Sequence, residues 1–238
     1  MSKRVVEIDL LRGIAIIMMI IYHFLFDLNF FFNAKIPLTT GVFGIFQKAT
    51  ASLFLLLVGI SLYLSNIKSN APLKKYLKRA SKIFLFRMII TVVTFFIVPK
   101  YYVIFGVLHL ISVSILLSYP FRKFGKLNLV FALIFIFLGM IIPKINFSSN
   151  SLLVLGFHTR DFFSLDYFPI FPWFGVVLLG IYLGNLLYKK EMATTKNLTP
   201  QKNLLLKFLA TLGRNALGIY LLHQVVLFSL FQLIIFLS

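Results

Sequence analysis

The sequence predicts an all-α fold, a polytopic transmembrane helical bundle of about seven spans with its N-terminus in the cytoplasm. Of the 238 residues 60% are hydrophobic, 29 are Phe and only 13% are charged, so a soluble domain could not cover its own apolar surface. Seven apolar runs have lengths near that needed to cross a bilayer. Lys and Arg collect in alternate loops, which is typical of a membrane protein and explains the net charge of +18 without nucleic acid.

The predicted spans are separated by Pro, Gly and charged residues. They cover residues 10–32, 42–64, 83–98, 101–119, 127–142, 171–188 and 215–236. This length fits one compact bundle, so residues 1–238 are predicted to form a single transmembrane domain. The sequence contains no Cys, which excludes disulfides and thiolate metal sites.

The loop charges predict the orientation. If the N-terminus is cytoplasmic, the inner segments hold 17 of the 24 Lys and Arg residues and the outer segments hold five. The inner residues are Lys3, Arg4, Lys68, Lys74, Lys75, Lys78, Arg79, Lys82, Arg122, Lys123, Lys126, Lys189, Lys190, Lys196, Lys202, Lys207 and Arg214. The outer residues are Lys35, Lys48, Lys100, Lys144 and Arg160. Because basic loops stay on the cytoplasmic side, the N-terminus is predicted inside and the C-terminus outside.

The first span carries four ionisable residues on one side of an apolar helix. At 100° and 1.5 Å per residue, Arg12 and His23 lie within about 20° of each other and about 16 Å apart. Asp9 and Asp27 each lie about 60° from Arg12 on the same side. Since a charge inside the bilayer costs about 2.5–3.5 kcal/mol on insertion scales, such residues normally face the bundle interior or a water-filled path. This stripe is therefore predicted to be the functional face.

Two pairs on this stripe have both a functional and a structural interpretation. Asp27 lies one turn beyond His23, where a carboxylate fixes the imidazole tautomer and supports a general base. Alternatively, His23 is a buried histidine satisfied by a backbone carbonyl of a neighbouring helix. Asp9 and Arg12 either form an ion pair at a spacing of three, or leave Arg12 to bind an anionic ligand from the cytoplasm.

Three further residues lie at membrane depth and are predicted to line the same cavity: His109, Tyr220 and His223. Interhelical hydrogen bonds of modest strength are the alternative for each histidine. A metal site is not predicted, because no ligand pair has a spacing such as H-x-x-x-H.

Two segments outside the spans are candidates for binding. The inner segment with Lys74, Lys75 and Arg79 suits either anionic lipid or a phosphate-rich cofactor, although the sequence has no Walker loop and no G-x-G-x-x-G motif. The long outer loop, residues 146–170, contains Asp166 and leads to Trp173. It is predicted either to cap the membrane surface or to receive a glycan.

Five sequence blocks resemble a known family. They are EIDLLRGIAIIMMIIYHFLFDL (7–28), ASLFLLLVGISLYLS (51–65), FGVLHLISVS (105–114), FPIFPWFGVVLLGIYLG (168–184) and LGRNALGIYLLHQVVL (212–227). In this order they resemble the heparan-α-glucosaminide N-acetyltransferase catalytic-domain family of the transmembrane acyltransferase superfamily. Arg12 and His23 also reproduce the Arg–His spacing of the related acyltransferase-3 family.

The resemblance implies an integral membrane acyltransferase that moves an acetyl or other acyl group from cytoplasmic acyl-CoA to a sugar amine or hydroxyl outside. On this interpretation His23 and Asp27 are catalytic, with His23 as general base or acyl carrier. Arg12, Asp9, Lys74, Lys75 and Arg79 bind the CoA, and His109, Tyr220, His223, Trp173 and Asp166 line the substrate cavity.

The expected partners are acyl-CoA, an extracytoplasmic glycan and membrane lipids, and a homo-oligomer is compatible with the sequence. The composition suits a prokaryotic plasma membrane. Two other functions stay open. One is a proton-coupled permease or flippase that uses the intramembrane His and Asp residues as a proton path. The other is a non-catalytic relative.

Overall fold

A computed structural model describes residues 5–69, 72–97, 99, 102–145, 147–188 and 203–237, and this part of the chain is helical without strands. The α-helices are α1 Val6–Phe32, α2 Gly41–Ser69, α3 Leu73–Ile97, α4 Val107–Phe121, α5 Asn128–Ile141, α6 Ile170–Tyr188, α7 Leu204–Arg214 and α8 Ala216–Leu237. Short 3-10 helices at Gly125–Leu127 and Ile142–Lys144 extend α5 at both ends.

Six of these helices are long and apolar enough to cross a membrane, and each coincides with a predicted span. They are α1, α2, α3, α5 with its 3-10 extensions, α6 and α8. The remaining predicted span, at residues 101–119, corresponds to α4, which has only 15 residues and begins six residues later than predicted. The prediction of an all-α polytopic bundle is thus confirmed, with a short fourth helix.

The late start of α4 is explained by contacts of the preceding residues with the loop before α6. The N–H of Phe168 donates to the carbonyl of Phe105 at 2.8 Å, which ties this segment to the loop. Gly106 then has an extended backbone, and its N–H donates to Nδ1 of His109 at 3.3 Å in the first turn of α4. A hydropathy pattern does not contain this information, because the contact joins residues far apart in the chain.

The helices form two compact units, with the boundary inside α2. Unit 1 comprises Met1–Phe54 and Lys196–Ser238, and therefore holds α1, the first part of α2, α7 and α8. Unit 2 comprises Leu55–Thr195, with the rest of α2 and α3 to α6. Seven basic residues used to predict the orientation lie outside the described residues: Lys3, Arg4, Lys100, Lys189, Lys190, Lys196 and Lys202.

In unit 1, two glycines bring the backbones of α1 and α7 into direct contact. A Cβ on Gly13 would meet the carbonyl oxygen of Leu209, and a Cβ on Gly213 would meet the carbonyl oxygen of Asp9. Small residues permit such close helix packing. Because position 9 faces 213 and position 13 faces 209, α7 runs antiparallel to α1.

By contrast, α8 runs parallel to α1, and phenylalanines hold the two helices together near their C-terminal ends. The ring of Phe231 lies 5.4 Å from that of Phe24 and 5.5 Å from that of Phe31, between ring centroids. Phe228 lies 5.0 Å from Phe31. Aromatic pairs at these distances are favourable beyond their buried area.

In unit 2, α6 is the central helix. Its Phe174, Val177 and Leu178 are fully buried. At the contact with α2, Gly180 lies against the backbone of Leu56, and Gly59 lies against that of Val177. The core of this unit therefore depends on close packing around α6.

Candidate active site

The two histidines of unit 1 meet between α1 and α8. The ring centroids of His23 and His223 are 4.5 Å apart, and the rings are nearly perpendicular. Further along the two helices, Asp27 of α1 and Gln224 of α8 also meet, so α1 and α8 run parallel. This parallel course brings the two histidines together. The structure thus brings His23 and His223, two of the predicted site residues, into contact.

Backbone carbonyls determine the tautomers of both rings. Nδ1 of His23 lies 2.9 Å from the carbonyl oxygen of Met19, and Nδ1 of His223 lies 2.7 Å from that of Tyr220. A carbonyl oxygen only accepts, so in each neutral ring Nδ1 carries the hydrogen and Nε2 carries the lone pair. Nε2 of His223 is buried and has no hydrogen-bond partner among the described residues. The carbonyl that binds His23 belongs to its own helix, four residues earlier, and not to a neighbouring helix as in the alternative interpretation of the sequence.

Asp27 is buried beside this pair, with 1% of its surface exposed. Its Oδ1 accepts a hydrogen bond of 2.8 Å from Nε2 of Gln224. Its Oδ2 and the Oε1 of Gln224 are buried without a hydrogen-bond partner. Together with Nε2 of His223, these are acceptor atoms that a ligand with N–H or O–H groups would satisfy, because burying them unpaired is costly.

At the N-terminal end of α1, two arginines, one from α1 and one from α7, lie around the buried carboxylate of Asp9. Oδ1 of Asp9 lies 3.1 Å from Nη1 of Arg12, so the ion pair that was one of the two sequence interpretations is present. Oδ2 of Asp9 lies 3.7 Å from Nε of Arg214 at the end of α7. The side chains of Arg12 and Arg214 are 30% and 46% exposed, so this corner of unit 1 presents two arginines to incoming ligands.

A groove of about 590 Å³ runs from Arg214, in this basic corner, to His223 of the histidine pair. It begins at Arg214 and Asn215 and follows α8 past His223, with Ile20 of α1 on its wall. Gly218 also lines the groove, and the remaining lining residues are apolar: Leu217, Ile219, Leu222, Val226 and Leu227. Sequence reasoning missed Arg214 as a site residue, although it lies only nine positions before His223.

Tyr220 contributes its backbone to this site and places its ring beside it. The ring centroid of Tyr220 is 5.5 Å from that of His223. No three His, Cys, Asp or Glu side chains among the described residues come together in a way that could hold a metal ion.

The other predicted site residues belong to unit 2. Lys74, Lys75 and Arg79 are exposed in the first turns of α3. Trp173 is half-buried at the start of α6, with its ring 4.9 Å from that of Phe168.

His109 and Asp166 meet at a buried arginine that sequence reasoning left without a role. Nη2 of Arg87 donates to Oδ2 of Asp166 at 2.7 Å, and Nε of Arg87 lies 3.4 Å from Nδ1 of His109. Oδ2 of Asp166 also accepts from the backbone N–H of Val107 at 3.3 Å. Because donors surround Nδ1 of His109, that nitrogen carries the lone pair and Nε2 carries the hydrogen. The position of Arg87 inside a predicted span is the sequence signal that could have indicated this network.

The loop that carries Asp166 is ordered by further hydrogen bonds in unit 2. The hydroxyl of Tyr167 donates to the carbonyl of Leu153 at 2.7 Å. Burial raises the pKa of Tyr167 to about 12, so the phenol remains a neutral donor. The hydrogen bond of Tyr167 therefore stabilises the loop that carries Asp166.

Comparison with known proteins gives one family. No curated protein and no solved structure matches the chain. The family model described as heparan-alpha-glucosaminide N-acetyltransferase, catalytic, matches residues 4–225, which include helices of both units. This span contains four of the five sequence blocks that carry the resemblance and all but the last two residues of the fifth. The chain therefore belongs to the heparan-alpha-glucosaminide N-acetyltransferase catalytic family, a family of membrane transferases.

Proposed function

We propose that this protein is an integral membrane acyltransferase. It transfers an acetyl or other acyl group from cytoplasmic acyl-CoA to an amine or hydroxyl of a sugar on the outer side of the membrane. The observation that carries the proposal is the groove of unit 1, which runs from Arg214 to His223. Arg214 shares Asp9 with Arg12, and His223 is in ring contact with His23.

The basic corner suits the phosphates of CoA. Arg12 and Arg214 are held apart by Asp9, and both guanidinium groups remain partly exposed. Arginine is well suited to phosphate, because its planar fork donates two parallel hydrogen bonds. In this proposal Asp9 positions the two arginines and does not contact the phosphates itself. Lys74, Lys75 and Arg79 provide a further basic surface in unit 2.

The histidine pair suits deprotonation of the acceptor. CoA supplies an acyl group that is activated as a thioester. The acceptor nitrogen or oxygen attacks the thioester carbonyl, the C–S bond breaks, and CoA leaves as a thiolate that takes up the proton held by His23. His23 accepts the proton of the attacking amine or hydroxyl at Nε2, and the carbonyl of Met19 holds Nδ1–H and fixes the ring. His223 lies in ring contact with His23 and helps to hold the His23 ring in place. The carbonyl of Tyr220 fixes the tautomer of His223 itself. Asp27 gives the nearby negative charge that favours the imidazolium.

The unpaired acceptor atoms suit the sugar. An amine or hydroxyl group donates hydrogen bonds, which Oδ2 of Asp27 and Nε2 of His223 lack. In unit 2, Oδ2 of Asp166 and Nδ1 of His109 are already used by Arg87. We propose that these two residues shape the outer loop, and that Trp173 offers an aromatic face to the acceptor.

The direction of transfer follows from the loop charges. The basic corner lies at the N-terminal end of α1, which the distribution of Lys and Arg assigns to the cytoplasm. His23 lies further along the same helix, towards the outside, and His223 of α8 contacts it there. The donor therefore enters from the inner side and the acceptor from the outer side.

Binding of acetyl-CoA to the purified protein tests this proposal. By calorimetry we expect saturable binding by the wild type and a loss of affinity of at least about tenfold in Arg12→Ala and in Arg214→Ala, the cost of a charge-assisted hydrogen bond. Arg160→Ala, at an exposed position of unit 2, is the matched control and should bind like the wild type. A folded wild-type protein that does not bind acetyl-CoA would contradict the proposal.

A further inference from the structure

The surface of α7 that faces away from α1 divides into a basic strip and an apolar strip. At about 100° per residue, the basic strip covers about 60° of the helix circumference, and all its members are exposed. They are Lys207, Thr211 and Arg214. The apolar strip covers the next sector of about 100°. Its most exposed members are Leu204, Leu205 and Phe208, at 82%, 62% and 55%.

Both strips lie at the edge of the membrane. α7 is joined to the transmembrane helix α8 by Asn215 alone. The antiparallel register that the two glycine contacts of α1 and α7 establish brings Leu205 level with Ile17, inside the first apolar span. Arg214 lies at the opposite end of α7, beside Asp9, close to the predicted start of that span. The apolar strip is therefore at the depth of acyl chains, and Arg214 is at the depth of phospholipid headgroups.

The basic strip has more cationic than anionic groups around it. Arg214 shares the carboxylate of Asp9 with Arg12, so one negative charge serves two guanidinium groups. Lys207 forms no ion pair with any residue that the structure describes. A lysine of this kind keeps its hydrocarbon stem on apolar surface and extends its ammonium group towards the headgroups. An anion at headgroup depth would therefore find two cationic side chains on one face of α7.

We propose that α7 binds an anionic phospholipid of the inner leaflet. The phosphate lies between Lys207 and Arg214, and the acyl chains lie against the apolar strip. Each cation near the membrane surface favours an anionic headgroup, and arginine donates paired hydrogen bonds to phosphate. The proposal goes beyond acyl transfer and does not depend on it, because Lys207 and the apolar strip do not line the groove.

Other occupants match only part of this surface. A soluble phosphate compound would neutralise the basic strip but leave the apolar strip uncovered. A zwitterionic lipid would cover the apolar strip, but its own cationic group opposes Lys207 and Arg214. An anionic phospholipid supplies both the charge and the hydrocarbon, in the order in which α7 presents their partners.

The absence of Cys from the sequence allows a site-specific test. Leu204→Cys is labelled with a bimane fluorophore, and the full chain is reconstituted in phosphatidylcholine vesicles without acetyl-CoA. Quenching is compared between phosphatidylglycerol and phosphatidylcholine that carry a doxyl group on the acyl chain, at the same low mole fraction. We expect phosphatidylglycerol to be enriched at this position by about fivefold or more, since one cation near the surface has about this effect.

Lys207→Gln in the same labelled protein should lower this enrichment by about fivefold. Lys48→Gln is the matched control, because Lys48 is an exposed helical lysine of unit 1 on the side predicted to be outer, and it should keep the enrichment unchanged. Equal quenching by the two lipids before the lysine is replaced would overturn the proposal, as would an equal effect of the two lysine variants. Quenching by neither lipid would mean that protein or water covers the apolar strip, which would also overturn it.

Discussion

Asp27 is a buried carboxyl group in an apolar pair of helices, and a single side-chain amide is its described hydrogen-bond donor. Nε2 of Gln224 donates to Oδ1, while Oδ2 has no partner. A buried carboxylate without donors would be expensive, so the amide contributes to stability as well as to the site. The same interaction ties the middle of α1 to α8.

Replacement of Gln224 by Leu removes this donor. We expect the free energy of unfolding to fall by about 1–3 kcal/mol, because both oxygens of Asp27 then lie buried without a partner. The measurement is Tm in detergent, with Gln232→Leu as control, since Gln232 is an exposed residue of the same helix. If Gln224→Leu and Gln232→Leu unfold at the same temperature as the wild type, the amide does not stabilise Asp27.

At the residue scale, the sequence predicts local partners and misses distant ones. The pair Asp9–Arg12 follows from a spacing of three on one helix. Gln224 was not predicted as the partner of Asp27, because the two residues are 197 positions apart. Arg87 and Asp166, 79 positions apart, form their pair only when the outer loop folds onto α3. Such pairs depend on how helices are placed, which hydropathy does not encode.

At the scale of elements, α7 shows how small residues position charged ones. The contact of Gly213 with the backbone of Asp9 brings the end of α7 close to the start of α1. Arg214, the next residue, then reaches Oδ2 of Asp9. The basic corner of the groove thus depends on a glycine that carries no chemistry.

Gly213→Ala tests this dependence. Its Cβ would overlap the carbonyl oxygen of Asp9, so we expect α7 to shift and the free energy of unfolding to fall by about 1–3 kcal/mol. Gly218→Ala is the matched control for stability, because nothing lies within 4 Å of its added Cβ. Alanine favours a helix by about 1 kcal/mol over glycine, so the control should equal or exceed the Tm of the wild type. A Gly213→Ala protein as stable as Gly218→Ala would contradict the close contact.

At the scale of the whole molecule, the fold class was predictable because a bilayer imposes simple rules on length and hydropathy. Six long helices lie where the sequence predicts spans. The short α4 was not predictable, since a distant loop holds the residues before it. Within unit 1, the parallel course of α1 and α8 places His223, at the wall of the groove, in ring contact with His23 of the charged stripe. The sequence predicted the charged residues of α1, whereas the positions of Arg214 and Gln224 beside them follow from helix packing.

Transfer across sealed proteoliposomes tests the central proposal most directly. Labelled acetyl-CoA is added outside, where it reaches only those molecules whose basic loops face outward, and an amino sugar or a hydroxyl sugar is trapped inside. We expect labelled acceptor to accumulate in the lumen with the wild type. His23→Ala, purified as a folded protein, should lower the rate by about 10²–10⁴-fold, the usual contribution of a general base. No transfer by the wild type to either acceptor, or a wild-type rate in His23→Ala, would contradict the role assigned to the histidine pair.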